Sequence, residues 1–292
     1  MKPPDDWRVE KGSSFQSELE SQPANLCWQD AASPLRVYRL GGADEGVIRL
    51  RIGTGLIVDV FPDRRVVTRA ATGLSPATVD HSLTDLIYPR LRSHAGEFVI
   101  HAGGIGIGEA AFVLLGLSGR GKSTLATSFY KAGYALLGDD AMVVSAIAIA
   151  PCVCAVYPSL RLFPDSIAAL VLDAASAEAV SPQSAKQRID LADRDLVQSP
   201  RPLRALFRIG EPAADDHIEV RQLSLAEACM ALVENSFALD PSDTARAHER
   251  MDQASALARA VPAFEIRYPR DYARLPEVRQ AILDQVAVLE AA

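Results

Sequence analysis

Apolar and polar positions alternate along three early runs, Leu35–Leu40, Val47–Ile52 and Leu56–Phe61. Period two over runs this short predicts strands. Gly41-Gly42, Gly53-Thr54-Gly55 and Pro62-Asp63 separate them as turns, so the stretch predicts a small antiparallel sheet. Arg49 and Arg51 alternate with apolar neighbours, which predicts a solvated strand face; a peptide-binding face is the alternative. Residues 1–30 are polar, contain proline and hold no period, and they predict a loose arm or a short helix.

The period then lengthens. Ser75 can cap a helix with Pro76 at its first position, and Val79, Leu83, Leu86 and Ile87 recur at helical spacing. Pro89 should kink or end that helix. Ala110–Leu115 is a buried-strand pattern, and a helix follows from Leu125. Ala146–Val156, Leu203–Ile209 and His217–Val220 predict further strands. Leu225–Leu232 predicts a helix with Ser224 as N-cap and Glu227 as its capping-box partner. Asp243–Ala260 and Leu275–Leu289 predict helices around a short strand, Ala263–Arg267, whose Phe264 and Ile266 should face a core. Residues 173–202 are small, polar and flanked by proline, and they predict a loop or lid. The expected class is α/β with a mixed central sheet flanked by helices. The expected division is an N-terminal arm and β-rich subdomain over 1–95, ending in a helix, and a core domain over 96–292.

Composition narrows this little. Of 292 residues, 49% are hydrophobic and 23% charged, as in an ordinary globular chain. A formal net charge of −7 argues against a nucleic-acid surface. No apolar run reaches the roughly eighteen residues of a membrane span. The first residues lack the apolar core of a signal peptide, so a cytoplasmic location is expected. Cys152 and Cys154 share a strand face, but no zinc-like partners stand nearby, and buried thiols are the expectation.

The chemistry is concentrated between His101 and Ser145. Gly116-Leu117-Ser118-Gly119-Arg120-Gly121-Lys122-Ser123 is a glycine, four residues, then Gly-Lys-Ser. Its glycines let backbone N–H groups turn inward at phosphate oxygens; Lys122 can reach the β- and γ-phosphates, and the Ser123 hydroxyl can ligate Mg²⁺. Strand before and helix after, with Thr124 in the first turn, give the loop the right setting. Asp139 and Asp140 follow, on what should be a strand returning beside the loop's own strand. Two adjacent carboxylates can divide the labour, one on a metal and one on a substrate hydroxyl; a solvated turn is the bland alternative. His101 stands at the end of Phe98–Ala102, where a lone histidine is more often structural. Lys186 and Arg188 precede the strand-like Ile189–Leu191. They could bring cations to a transferring group from a lid, or be a solvated charged strand.

This segment resembles the catalytic core of bacterial HPr kinase/phosphorylase, with His on a strand, the phosphate loop and then Asp-Asp. It is more similar to the HPr-kinase-like serine kinases, including those encoded with lasso-peptide biosynthesis enzymes. The matching residues are His101, Lys122, Ser123, Asp139 and Asp140, and the match covers only His101–Ser145. The resemblance implies the HPr-kinase version of the phosphate-loop fold, related to phosphoenolpyruvate carboxykinase. It implies an enzyme using ATP and Mg²⁺ to phosphorylate a serine hydroxyl, with the C-terminal serine of a lasso-peptide precursor as acceptor. Residues 116–124 would cradle the phosphates, Ser123 and Asp139 would hold Mg²⁺, and Asp140 would take the proton. His101 would tune Asp140 or contact phosphate. HPr itself, or a small molecule such as free serine, are other acceptors; a simple ATPase or a non-catalytic ATP-binding regulator are other classes. The family allows a homo-oligomer without requiring one. HPr kinase proper has an acidic, glycine-rich signature where this chain has Ser159 and Arg161, which puts phosphorolysis in doubt. Arg161 either contacts phosphate or lies on the surface.

Overall fold

The computed structural model describes residues 4–15, 24–29, 34–145, 150–157, 160–170, 177–181, 184–189, 199–213 and 216–291. The chain forms two compact units, Met1–Gly96 with Ala238–His248, and Glu97–Phe237 with Glu249–Ala292.

In the first unit, strands β2 (Ala24–Gln29), β3 (Leu35–Leu40), β4 (Ile48–Ile52), β5 (Leu56–Val60) and β6 (Arg65–Ala70) form an antiparallel meander. Strand β1 (Arg8–Lys11) adds to β6 in parallel, giving the order β1-β6-β5-β4-β3-β2. Parts of the expected loose arm are therefore two strands. Their sequences hold no clean alternation because β1 and β2 are edges, largely exposed on both sides. The other expected strands stand where their alternation put them. Leu35, Val37, Leu50, Ile52, Val58 and Val66 form the core of this unit with Leu83, Ile87 and Leu91.

Arg49 corrects the expectation of a solvated face. It is only 5% exposed. Its Nε and Nη2 donate to the two oxygens of Asp59 on the neighbouring strand, at 2.6 and 2.8 Å, and Arg69 donates to the same carboxylate. A charge can be buried on this sheet because a bidentate partner is buried with it. Arg51 stays half-buried, its guanidinium 5.5 Å from the Tyr38 ring centre.

Helix α1 (Pro76–Ser82) begins as expected, with the Ser75 side chain accepting from Thr78 N–H. A π-helical turn, Leu83–Ile87, then leads into α2 (Tyr88–His94). Pro89 falls in the first turn of α2, where a missing N–H costs nothing. It follows the irregular turn instead of ending the helix.

In the second unit, β7 (Phe98–Ile107), β8 (Ala110–Leu115), β9 (Ala135–Ser145), β10 (Cys152–Ala155), β14 (Arg201–Ile209), β15 (Glu219–Gln222) and β16 (Ala263–Arg267) form a mixed sheet in the order β10-β9-β7-β8-β14-β16-β15. β8, β14 and β16 run parallel, and the other neighbours are antiparallel. Helices α3 (Lys122–Lys131) and α7 (Leu275–Ala291) cover one face, burying Leu125, Phe129, Val278 and Ile282 with Phe112, Phe207 and Phe264. α5 (Leu225–Glu234) and the later turns of α6 (Thr244–Ala260) cover the other, through Ala228, Leu232, Ala254 and Leu257. The class is mixed α/β with a β-rich N-terminal unit. The ring of Phe112 on β8 meets Phe129 of α3 at 5.2 Å and Phe207 of β14 at 5.6 Å, both edge-on, so one such contact seats α3 on the sheet and the other joins two strands, each worth about 0.5–1.5 kcal/mol beyond its area. Among the described residues, no helix is long and apolar enough to cross a membrane.

Four further expectations change here. The aspartates do lie on a strand, β9, but it pairs with β7, so β7 stands between them and the loop's strand β8. His101 sits within the ten-residue β7 and not at its end. The expected loop over 173–202 contains a hairpin, β12 (Ala177–Ser181) with β13 (Ser184–Ile189), that joins β11 (Leu160–Leu162) in a small third sheet. Lys186 and Arg188 lie on β13 itself. Small polar residues hid that hairpin because a short strand paired on both sides needs little side-chain signal. Cys152 and Cys154 are half-buried, not buried. Ser159, residues 146–149 and much of 171–198 lie outside the described residues.

Candidate active site

The glycine-rich loop connects β8 to α3. Gly119 and Gly121 adopt φ of 78° and 95°, a left-handed region that a side chain would strain. Gly121 is the residue from which α3 starts, and the first helical bond runs from Leu125 N–H to Gly121 O at 2.9 Å. The N–H groups of Lys122, Ser123 and Thr124 precede that bond, at the positive end of a ten-residue helix. A backbone so arranged can hold an anion. Lys122 is 5% exposed, and its Nζ donates to Gly116 O at 2.6 Å and Leu117 O at 3.3 Å. Its ammonium is thus held inside the turn of the loop. Leu117 is exposed, whereas Ser118, Gly119, Gly121, Lys122, Ser123 and Thr124 line a cavity of about 220 Å³.

The lining of that cavity also includes His101 and Arg161. These two residues also meet Asp140. Arg161 Nη1 donates to Asp140 Oδ2 at 2.9 Å, Tyr157 OH donates to the same oxygen at 3.3 Å, and His101 Nδ1 stands 3.5 Å from Oδ1. Three segments converge on one carboxylate that keeps 21% of its side chain exposed. Arg161 is buried, so of its two expected settings the surface one does not apply. Its guanidinium also lies 5.7 Å from the Tyr157 ring centre.

Asp139 is buried and lies opposite Gly103 of β7. A Cβ on Gly103 would stand 3.7 Å from Asp139 Oδ1 and 3.9 Å from Lys122 O. Both are ordinary van der Waals distances, so Gly103 marks a place where the Asp139 carboxylate and the first turn of α3 come close to the same point of β7. Ser123 and Asp139 offer only oxygen donors, and a hard cation that takes one carboxylate plus phosphate oxygens suits such a pair. The side chains of Lys186 and Arg188 lie outside the described residues. Arg188 stands opposite Arg161 in strand register.

Several contributors carried no usable sequence signal. Asn235, just after α5, accepts from Gly116 N–H through Oδ1 at 3.2 Å and from His101 N–H through its backbone oxygen at 2.6 Å. One buried amide thus holds both sides of the site, and the Gly116 N–H is committed to it. Arg120 pairs with Glu211, and that guanidinium holds the Glu211 carboxyl below its usual range. Arg270, after β16, donates to Gly119 O at 2.9 Å.

No protein-family model and no curated protein matches the chain. Among solved structures, the HPr(Ser) kinase/phosphatase of Coxiella burnetii aligns over 65% of this chain and 97% of its own, at 10% identity and a TM-score of 0.36. At that TM-score the likeness says nothing about activity, and the functional reading rests on the chain's own residues.

Proposed function

We propose that this chain is an ATP-dependent kinase that transfers the γ-phosphate to a serine hydroxyl of a peptide or protein. The observation that carries this reading is the cavity shared by the glycine-rich loop and by His101 and Arg161, two of the three residues that meet Asp140. The loop N–H groups and Lys122 hold the phosphates, Lys122 exchanging the Gly116 and Leu117 carbonyls for phosphate oxygens. Asp140 gives up the Arg161 hydrogen bond and accepts the hydroxyl proton. The serine oxygen bonds to the γ-phosphorus as the bond to the β-phosphate oxygen breaks, and ADP leaves. Arg161, once released, can neutralise charge on the transferring group. Ser123 and Asp139 would hold a Mg²⁺ ion, which would offset phosphate charge when bound. Lys186 and Arg188, on β13, would bring further cations to the transferring group.

The resemblance to the lasso-peptide-associated kinases supports the C-terminal serine of a lasso-peptide precursor as the acceptor. The Arg161–Asp140 contact favours one other reading, a regulator that binds ATP with its carboxylate permanently engaged. Mass spectrometry separates the two. Protein with Mg-ATP and a serine-terminated precursor peptide, beside HPr and free serine, is expected to add a phosphate to the peptide. Lys122→Ala should abolish that addition. Bound but intact ATP with every acceptor would leave the regulator.

A further inference from the structure

A second cavity, of about 250 Å³, adjoins the first. The two share Gly121, Thr124, Asp165, Arg270 and Tyr272, so they meet at the first turn of α3 and the segment after β16. The first is walled by the loop backbone, Lys122 and Ser123. The second adds Tyr268 and Leu275, with Arg120 and Asp271 as its further charged groups, and has no counterpart of Lys122.

Its walls are tied to the loop. Tyr272 OH donates to Asp165 Oδ2 at 3.0 Å and meets Ser166 Oγ at 3.1 Å, and Ser166 Oγ in turn meets Thr124 Oγ1 at 3.1 Å. Arg270 holds the Gly119 carbonyl from the same segment. A Cβ on Gly121 would stand 3.3 Å from Tyr268 OH, which puts that hydroxyl against the loop's last glycine. Burial pushes the Tyr268 hydroxyl up to about 12, so it stays protonated and can donate. Tyr272 is 38% exposed as a residue and lines both cavities.

A polar anion site continuous with an aromatic one matches the division of a nucleoside triphosphate. We infer that the second cavity takes the purine base and ribose of the nucleotide, with Tyr272 as the stacking surface. Asp165 accepts from a ribose hydroxyl, and Tyr268 and Arg120 supply donors to the base edge. The inference rests on the loop holding the phosphates, as proposed above, and it adds that the segment Tyr268–Leu275 decides how tightly a nucleotide binds relative to bare polyphosphate. Sequence spacing gave Tyr268 and Tyr272 no role.

Calorimetric titration of the full chain with Mg-ATP and with Mg-tripolyphosphate tests this. ATP is expected to bind at least roughly tenfold more tightly, since stacking one base on an aromatic ring is worth about that factor or more. Tyr272→Ala should weaken ATP about tenfold more than it weakens tripolyphosphate. Tyr272→Phe, which keeps the ring and loses the hydroxyl contacts, should retain ATP affinity. Equal affinity of the wild-type chain for both ligands would overturn the inference while sparing the phosphate loop, and this comparison needs no variant to fold. Equal weakening of both ligands by Tyr272→Ala would also overturn it, because Tyr272 would then act through the loop. Binding of neither ligand by the wild-type chain would sink the kinase reading itself.

Discussion

Asp59 in the first unit and Asp140 in the second each stand between basic side chains, and the two settings differ in every detail that matters to chemistry. Asp59 is 4% exposed, takes a bidentate pair from Arg49 at 2.6 and 2.8 Å, and accepts again from Arg69. Asp140 keeps an open side, takes single bonds from Arg161 and Tyr157, and meets His101 at 3.5 Å. Two of its three partners line a cavity. A carboxylate locked by both oxygens fixes the register of the strands it joins. One held by single bonds beside a cavity can exchange partners when a ligand arrives. The contrast shows why an ion pair is not by itself a functional signal.

The largest expected effect tests the open carboxylate. Asp140→Asn keeps the shape and removes the proton acceptor, so phosphate transfer to the peptide should fall about 10²–10⁴-fold, the usual worth of a general base. Nucleotide binding should be retained, and the urea midpoint should fall less than in the Asp59 variant below, because Asp140 is partly solvated and takes a single bond from Arg161. A large loss of stability with transfer retained would reverse the assignment and make Asp140 the structural aspartate.

The complementary variant is Asp59→Asn. It leaves the buried Arg49 without its counter-charge, and unfolding free energy should drop by about 3–5 kcal/mol, read by urea denaturation. Transfer by the molecules that remain folded should be unchanged. Lost transfer in a folded population would give the first unit a part in the reaction that its ion pairs do not explain.

Arg161→Gln is expected to act less strongly. The guanidinium would no longer meet the transferring phosphate, and a lost charge-assisted hydrogen bond of about 1.5–3 kcal/mol corresponds to a rate roughly ten- to a hundredfold lower. Faster transfer would instead mean that Arg161 restrains Asp140, the behaviour expected of the ATP-binding regulator.

Features built from neighbours in sequence were legible. The glycine-rich loop and its helix, the Ser75-Pro76 start of α1 and the Ser224–Glu227 capping box each need only a few consecutive residues, and each stands where the spacing put it. Features built across strands were not. Arg49 alternates with apolar residues like any solvated arginine, and only the register that sets it against Asp59 shows that it is buried. The insertion of β7 between β8 and β9 is likewise a matter of pairing, invisible to period or propensity. Of the candidate site, the sequence carried the loop and the aspartate pair. It could not carry Tyr157, Arg161 and His101 as one cluster, because their meeting point depends on three separate segments.

Asn235 sharpens the same contrast without any charge. Its Oδ1 is the partner of the Gly116 N–H, and its own Nδ2 donates to Ala231 O at 2.8 Å, so the amide is fixed at both ends. Asn235→Ala would leave a buried N–H without its acceptor, which costs about 1–3 kcal/mol. Part of that cost should appear as a looser loop, and hence as a higher KM for ATP with a smaller change in kcat. Asn235→Asp separates position from stability. A carboxylate can still accept from Gly116 N–H, so the urea midpoint should recover at least partly, but its charge would repel the phosphates and the KM should stay high. If Asn235→Asp instead restored ATP affinity together with stability, the loop would not be holding an anion. The resemblance between the two aspartates would then extend further, with both serving structure alone.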